Sequence, residues 1–301
     1  MKKQSAFLSA ALMVLTIALT AFFAAGCGGG DDDSGGGGTS SSVTVPKVGD
    51  LPAFPAGVNP AETEAAADSI LAELEQSGLY RDVYDRMQEV VRDSRSGNNY
   101  NLKDLEDDSN TVKVNASSKI TAKQSEGFAE KLDIEDGQVH YGASFNTNEY
   151  ARYSMESKMK GKVMTDITSG NVTIAAGSTI EEQTSVSQDI SVTKAGTIME
   201  AKGKENASMK SQQISGFTLT TPLGDVKIIS DLTRIRSHSV SNITIFDLIY
   251  NTEINENYTG SLKVYGKDNA LLKTVTVTDY ATYQQAQKLI GYHYSSGGYD
   301  D

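Results

Sequence analysis

Cys27 is the only cysteine among 301 residues, and a thiolate is the most reactive nucleophile this chain can offer. A single cysteine excludes an intrachain disulfide and every cysteine-cluster metal site. The three histidines, His140, His238 and His293, are scattered and cannot build a histidine-rich centre. No G-x-S-x-G elbow, H-E-x-x-H pair, Walker-type G-x-x-x-x-G-K-S/T loop or G-x-G-x-x-G turn occurs. The run from Asp133 to Gly137 has the acidic character of a calcium loop. Setting Gly137 at loop position six, however, puts Leu132 and Ile134 where the first two ligands belong, so a reverse turn explains it better. No catalytic residue, no metal ligand and no cofactor are assigned.

The surroundings of Cys27 are more specific. Met1 to Ser5 carry Lys2 and Lys3, and Ala6 to Ala25 are apolar apart from Ser9, Thr16 and Thr20, the pattern of a secretory signal. The segment ends in Ala24-Ala25-Gly26-Cys27, and this resembles the lipobox of bacterial lipoproteins. The resemblance implies a diacylglyceryl group with palmitate-type chains on the Cys27 sulfur and cleavage by signal peptidase II between Gly26 and Cys27. Ala24 stands where that family most often has leucine. At about 0.8 kcal/mol per buried methylene, two or three chains give a stable membrane anchor. Two other readings use the same residues: an uncleaved transmembrane anchor, and a free thiol behind an ordinary signal peptide. The small triple abutting a lone cysteine favours lipidation.

Removing the first 26 of the 301 residues leaves a mature chain of 275 with 25 basic and 39 acidic side chains, a formal charge of −14. That balance argues against nucleic acid or an anionic surface bound through net charge. Hydrophobic content is low at 38%, and there is no tryptophan.

The elements divide the chain as follows. Residues 27–58 are the lipidated cysteine, a Gly/Asp/Ser tether from Gly28 to Ser42, and a stiffer segment holding Pro46, Pro52 and Pro55. The flexible part spans about 20 Å on average and about 50 Å when extended. Asp31, Asp32 and Asp33 sit between glycines and read as solvated spacer. By the same family resemblance, Gly28 after the cysteine leaves no inner-membrane retention aspartate, which favours the outer membrane in a Gram-negative cell.

Residues 59–98 read as a helical hairpin. Asn59 is the expected cap, Pro60 the first helical residue, and Gly78 the break between two helices. Tyr80, Val83, Tyr84, Met87 and Val91 recur at spacings of three and four, a stripe that either packs on the sheet or faces a ligand. Nine acidic against four basic residues over 61–96 make the outer helical face acidic.

Over 99–291 the period changes to two. Strands are expected at 112–122, 139–145, 153–163, 172–175, 180–192, 197–209, 217–220, 226–229, 243–250, 262–265 and 271–277, with Asp104 to Asp108 in a polar connection. Short connections require antiparallel pairing. Asp279 caps a last short helix, and 292–301 is a loose tail. The fold class is mainly β (α+β): an N-terminal amphipathic helical hairpin packed on a large curved antiparallel sheet or partial barrel, with a short C-terminal helix. At the level of architecture alone this is similar to the periplasmic lipoprotein carriers, in which a half-barrel cups acyl chains under helices.

Arg152, Lys158, Lys160 and Lys162 share one face of the 153–163 strand, either a solvated outer face or a stripe for an anionic headgroup or polysaccharide. The expected function is that of a lipid-anchored cell-envelope protein, a non-catalytic binding or assembly module. Its partners are the membrane, through acyl chains on Cys27, and an envelope protein, glycan or lipid. The alternatives are a carrier of a hydrophobic ligand and an envelope hydrolase.

Overall fold

The computed structural model describes residues 44–124, 133–135, 138–140, 149–193, 202–244 and 251–292. Cys27, Gly26, the signal and the flexible tether lie outside them, as do most of the strand expected at 139–145 and the tail beyond Tyr292.

Two helices open the domain, α1 (Glu64–Ser77) and α2 (Leu79–Ser94). Thr63 is the cap of α1, its hydroxyl accepting from the Ala66 N–H at 3.2 Å. This corrects the expected cap at Asn59 and start at Pro60. Pro60 instead bridges Asp225, and Ala61 N–H donates to the Asp225 carbonyl at 2.9 Å. A proline fixed near φ −65° suits an extended chain as well as a first helical turn, and the bridge decides between them. Gly78 takes the left-handed conformation at φ 64°, ending α1 and starting α2 as its position predicts.

The sheet follows. Its strands are β1 (Tyr100–Glu106), β2 (Val112–Gln124), β5 (Glu149–Val163), β8 (Thr179–Thr193), β9 (Lys202–Thr221), β10 (Gly224–Thr244), β11 (Asn251–Tyr265) and β12 (Leu271–Val277), in that spatial order. The small hairpin β6 (Ile167–Ser169) and β7 (Val172–Ile174) joins through β7 to β9 and brings the sheet to ten strands. Every paired strand is antiparallel. A separate two-stranded sheet pairs β3 (Asp133–Glu135) with β4 (Gln138–His140), so Asp133 to Glu135 of the run resembling a calcium loop lie in a strand. Helix α3 (Tyr280–Leu289) closes the chain, capped by Asp279 through Thr282 N–H at 2.8 Å.

Three strand expectations change. The polar connection at 104–108 begins inside edge strand β1, where a bulge at Leu102/Leu105 and a positive φ at Asp104 hide the alternation. The separate strands expected at 197–209 and 217–220 are one strand, β9, of 20 residues, and β10 runs 21 residues through the gap between 229 and 243. In both, the ladder continues across positions where Ser, Gln and Arg replace apolar residues. Periodicity of hydrophobicity lapses there while hydrogen bonding does not.

Register sorts the faces. Val114, Gly161, Ile180, Ser215, Ser230, Leu262 and Val275 form one cross-strand row on the inner face, which meets the helices. The outer face is crossed by the N-terminal segment. Pro46 and Leu51 lie over Gly216, and Thr218 donates its hydroxyl to the Pro52 carbonyl at 2.6 Å. The Lys227 ammonium stands 5.3 Å from the centre of the Phe54 ring. With Leu51 buried, this part of the expected tether is a strap on the domain. Tyr292, expected in the loose tail, is likewise buried, edge-on to Tyr84 at 5.1 Å.

Candidate functional site

The helix stripe resolves first. Tyr80, Val83, Tyr84, Met87 and Val91 are all buried in the main core, so the stripe is the packing face of α2. Tyr80 stacks at a tilt on Phe217 at 5.4 Å, and Met87 fills the space over Gly161. One polar group enters this layer. Tyr84 donates its hydroxyl to Glu182 at 2.5 Å and the Gln88 amide donates to the same oxygen at 3.1 Å, while burial pushes the Glu182 carboxyl up.

The cationic stripe lies on the outer face and is largely engaged. Arg152 pairs with Asp189 at 2.8 Å, and Lys160 pairs with Glu181. Lys158 and Lys162 share that face by register but stand opposite Gln183 and Thr179 on β8. The structure brings Arg152 and Lys160 into salt bridges across to β8. At the far end of this face a groove of about 640 Å³ crosses the strands. Its walls are the outward residues Thr121, Ser154, Ser187, Ser208 and Ser237 on one side and Lys123, Arg152, Asp189 and Asn206 on the other. His238 also borders it, but that side chain belongs to the alternate row, so the sheet separates its imidazole from the serine hydroxyls and from Asp189. A serine–histidine–carboxylate relay is not assembled there.

The inner face beyond the helices carries a second apolar cluster that sequence reasoning missed. Tyr153 and Val186 are buried, with Ile120, Met155 and Met209 partly buried against them. By register Ile120, Met155, Val186, Met209, Arg236 and Glu256 form one row over β2, β5, β8, β9, β10 and β11. The Glu256 Oε1 atom accepts from Arg234 at 3.0 Å and contacts Arg236 at 3.2 Å, and Oε2 accepts from the Tyr258 hydroxyl at 2.5 Å. Burial opposes ionisation of Glu256, but the hydrogen bonds from Tyr258 and Arg234 outweigh it and hold its carboxyl below the ordinary value. The Tyr258 ring in turn packs on Tyr283 at 5.0 Å and under the Arg234 guanidinium at 5.8 Å. Arg234, Arg236 and His238 recur every second residue, a signal that a strand placed through 230–240 would have exposed.

Among the described residues no group of three or more His, Cys, Asp and Glu side chains converges as a metal site, and no helix is long and apolar enough to cross a membrane. Comparison with known protein families, with curated proteins and with solved structures finds no match.

Proposed function

We propose that this chain is a lipid-anchored protein of the cell envelope, held by acyl chains on Cys27, whose domain is a non-catalytic binding module. The anchor rests on the apolar signal and the Ala24-Ala25-Gly26-Cys27 sequence. The observation that carries the binding reading is the length of the strands. β10 spans 21 residues, about 70 Å, yet the main core reaches only to Leu232 along it. Among the described residues, none of β10 beyond Leu232 belongs to the main core, and that stretch of the sheet carries the separate Tyr153 and Val186 cluster.

We read the sheet as curved around the helices in the manner of a partial barrel. The support is that α2 contacts β1 and β2 at one edge while α1 contacts β10 and β12 at the other, and strands of this length coil as they twist. A carrier of a hydrophobic ligand is the second reading, favoured by the Tyr153 and Val186 cluster standing apart from the main core.

Mass spectrometry of the mature amino terminus, with detergent-phase partitioning, tests the anchor. A diacylglyceryl-modified Cys27 and loss of partitioning in Cys27→Ser are expected; an unmodified amino terminus defeats it. The binding role is tested by site-specific crosslinking from Ser208 and from Met209 in intact envelopes. Discrete adducts at these sites and none from helix-face Gln76 are expected, and absence of adducts at both sheet faces counts against it.

A further inference from the structure

The two edges of the sheet are finished differently. On one side β1 covers β2 as far as Ser118 and carries a bulge and a positive φ at Asp104. The stretch of β2 beyond it exposes Lys119 and Lys123, and lysines and bulges both keep an edge from pairing. On the other side β12 stops at Val277, opposite Gly260, and the chain turns into α3. The nine residues Asn251–Thr259 of β11 therefore pair with β10 alone among the described residues. That stretch holds no lysine, proline or bulge. We propose that it docks a second copy of this chain, the two β11 strands pairing antiparallel about a two-fold axis between their Asn255 residues.

Three observations carry it. Glu253, Ile254, Asn255, Glu256 and Asn257 are all exposed, although they alternate between the two faces, as an uncovered edge requires. Every second residue of this stretch points its N–H and C=O away from β10, along about 30 Å of backbone that another strand would satisfy. The second is apolar surface: Ile254 is 52% exposed at the inner side of this edge. Paired in full, with Asn251 opposite Thr259, Ile254 stands on the diagonal from the second copy's Ile254 and Tyr258, which cover it. The third is charge. The same register sets Glu253 opposite Asn257, Ile254 opposite Glu256 and Asn255 opposite itself, so no two carboxylates oppose each other in a chain of formal charge −12. Glu256 brings no unpaired charge to the contact, since it accepts from Arg234 at 3.0 Å and from the Tyr258 hydroxyl at 2.5 Å.

A two-fold axis relating antiparallel strands stands perpendicular to the sheet, so the joined sheets keep both helix layers on one side and both outer faces on the other. The amino-terminal strap crosses the outer face of each copy, which puts both straps on the same side, as two anchors in one membrane require. One pair of nine-residue edges falls short of a standard soluble interface. Confinement of two anchored copies to one membrane surface supplies the effective concentration, and in that respect the proposal rests on the lipid anchor.

Single cysteines placed on exposed positions of the full-length chain, oxidised in intact envelopes, test the pairing and its register. Directly opposed β-carbons lie about 4.5–5.5 Å apart, close to disulfide reach, whereas positions four residues out of register are about 14 Å apart. Asn255→Cys should give a covalent dimer of this chain. Asn257→Cys alone, and Thr121→Cys on the β2 edge, should give none, while Glu253→Cys and Asn257→Cys expressed together should crosslink to each other. Added to Asn255→Cys, Asn257→Lys faces the second copy's Glu253 and should raise the yield severalfold, and Asn257→Glu should lower it as much. No dimer from Asn255→Cys, an equal dimer from Asn257→Cys alone, or a crosslink to a different protein in its place overturns the proposal. Failure of the anchor reading shows separately: a dimer from the oxidised parent reports a free Cys27 thiol, and the same variants in the Cys27→Ser chain then decide the pairing.

Discussion

Met87 of α2 is seated on the bare backbone of Gly161 in β5: a β-carbon at that glycine would overlap the methionine sulfur. Met87 is completely buried, and Gly161 stands in the inner row between Val114 and Ile180. The helix approaches this closely because no side chain holds it off.

Gly161→Val therefore forces α2 outward or twists Met87 from its well. The expected loss is about 1–3 kcal/mol, the usual range for overpacking. Met87→Ala alone opens a cavity and costs about 2–5 kcal/mol. Combining Met87→Ala with Gly161→Ala should cost less than the sum, because the new methyl occupies space the methionine left. Urea denaturation of the four chains checks the sign of that coupling, and strict additivity would refute the contact.

The strap gives a second test. Leu51 is 7% exposed over Gly216, although the chain around it has no regular structure beyond the short turn Val48–Asp50. Leu51→Ala should cost about 2 kcal/mol. Gly216→Val should displace the strap altogether, opening a protease-sensitive site between Val45 and Phe54 while the sheet stays resistant. Limited proteolysis with mass spectrometry reads this directly, and an uncut strap in Gly216→Val would remove the proposed contact.

Much of this fold could be read from residue order because its signals are local. Gly78 needs a left-handed conformation, Asp279 offers a cap to Thr282, and Val112 to Ala122 alternate apart from Ser118, so each declares its element alone. Residues 210–216 of β9 and 230–242 of β10 declared nothing, since Ser, Gln and Arg recur on the inner face there and their partners lie on other strands. The same cause hid the candidate site. Ile120, Met155, Val186 and Met209 are separated by 20 residues or more and meet only through register, which sequence periodicity cannot supply. The stripe from Arg152 to Lys162 was visible as a face, but the neutralising Asp189 and Glu181 sit on a different strand.

Glu182 makes the pH dependence of stability testable. Burial raises its carboxyl pKa above the ordinary value, so the folded state holds the proton more tightly than the unfolded one. Its contribution is then most favourable below the unfolded pKa, near pH 4.3, and is lost as pH rises through the folded value. Glu182→Gln, which still accepts from Tyr84, should melt higher than the parent at pH 7 and no differently near pH 4. Glu182→Ala leaves the Tyr84 hydroxyl without its acceptor and should cost about 1–3 kcal/mol instead. Thermal melts across that pH range decide it, and a parent curve that rises as Glu182 ionises would contradict the assignment.

Asp107 should behave in the opposite sense. Burial of its carboxylate works against ionisation, but it accepts from Thr111 N–H at 2.6 Å, from the Thr111 hydroxyl at 2.5 Å and from Val112 N–H at 3.0 Å, with Arg86 beside it at 3.4 Å. Together these hold its pKa below the ordinary value. A depressed folded pKa stabilises above the unfolded value of about 3.9 and is lost as pH falls through the folded one. Asp107→Asn should cost about 1.5–3 kcal/mol at pH 7, and the difference should shrink in acid below the folded pKa. The loss should also be local, because Asp107 closes the β1–β2 connection and Arg86 ties α2 to it through Thr111 at 2.9 Å. Amide exchange in β1 should quicken while β10, enclosed on both sides by β9 and β11, keeps its protection. Uniform acceleration across both strands would mean that Asp107 supports the whole sheet, not its edge.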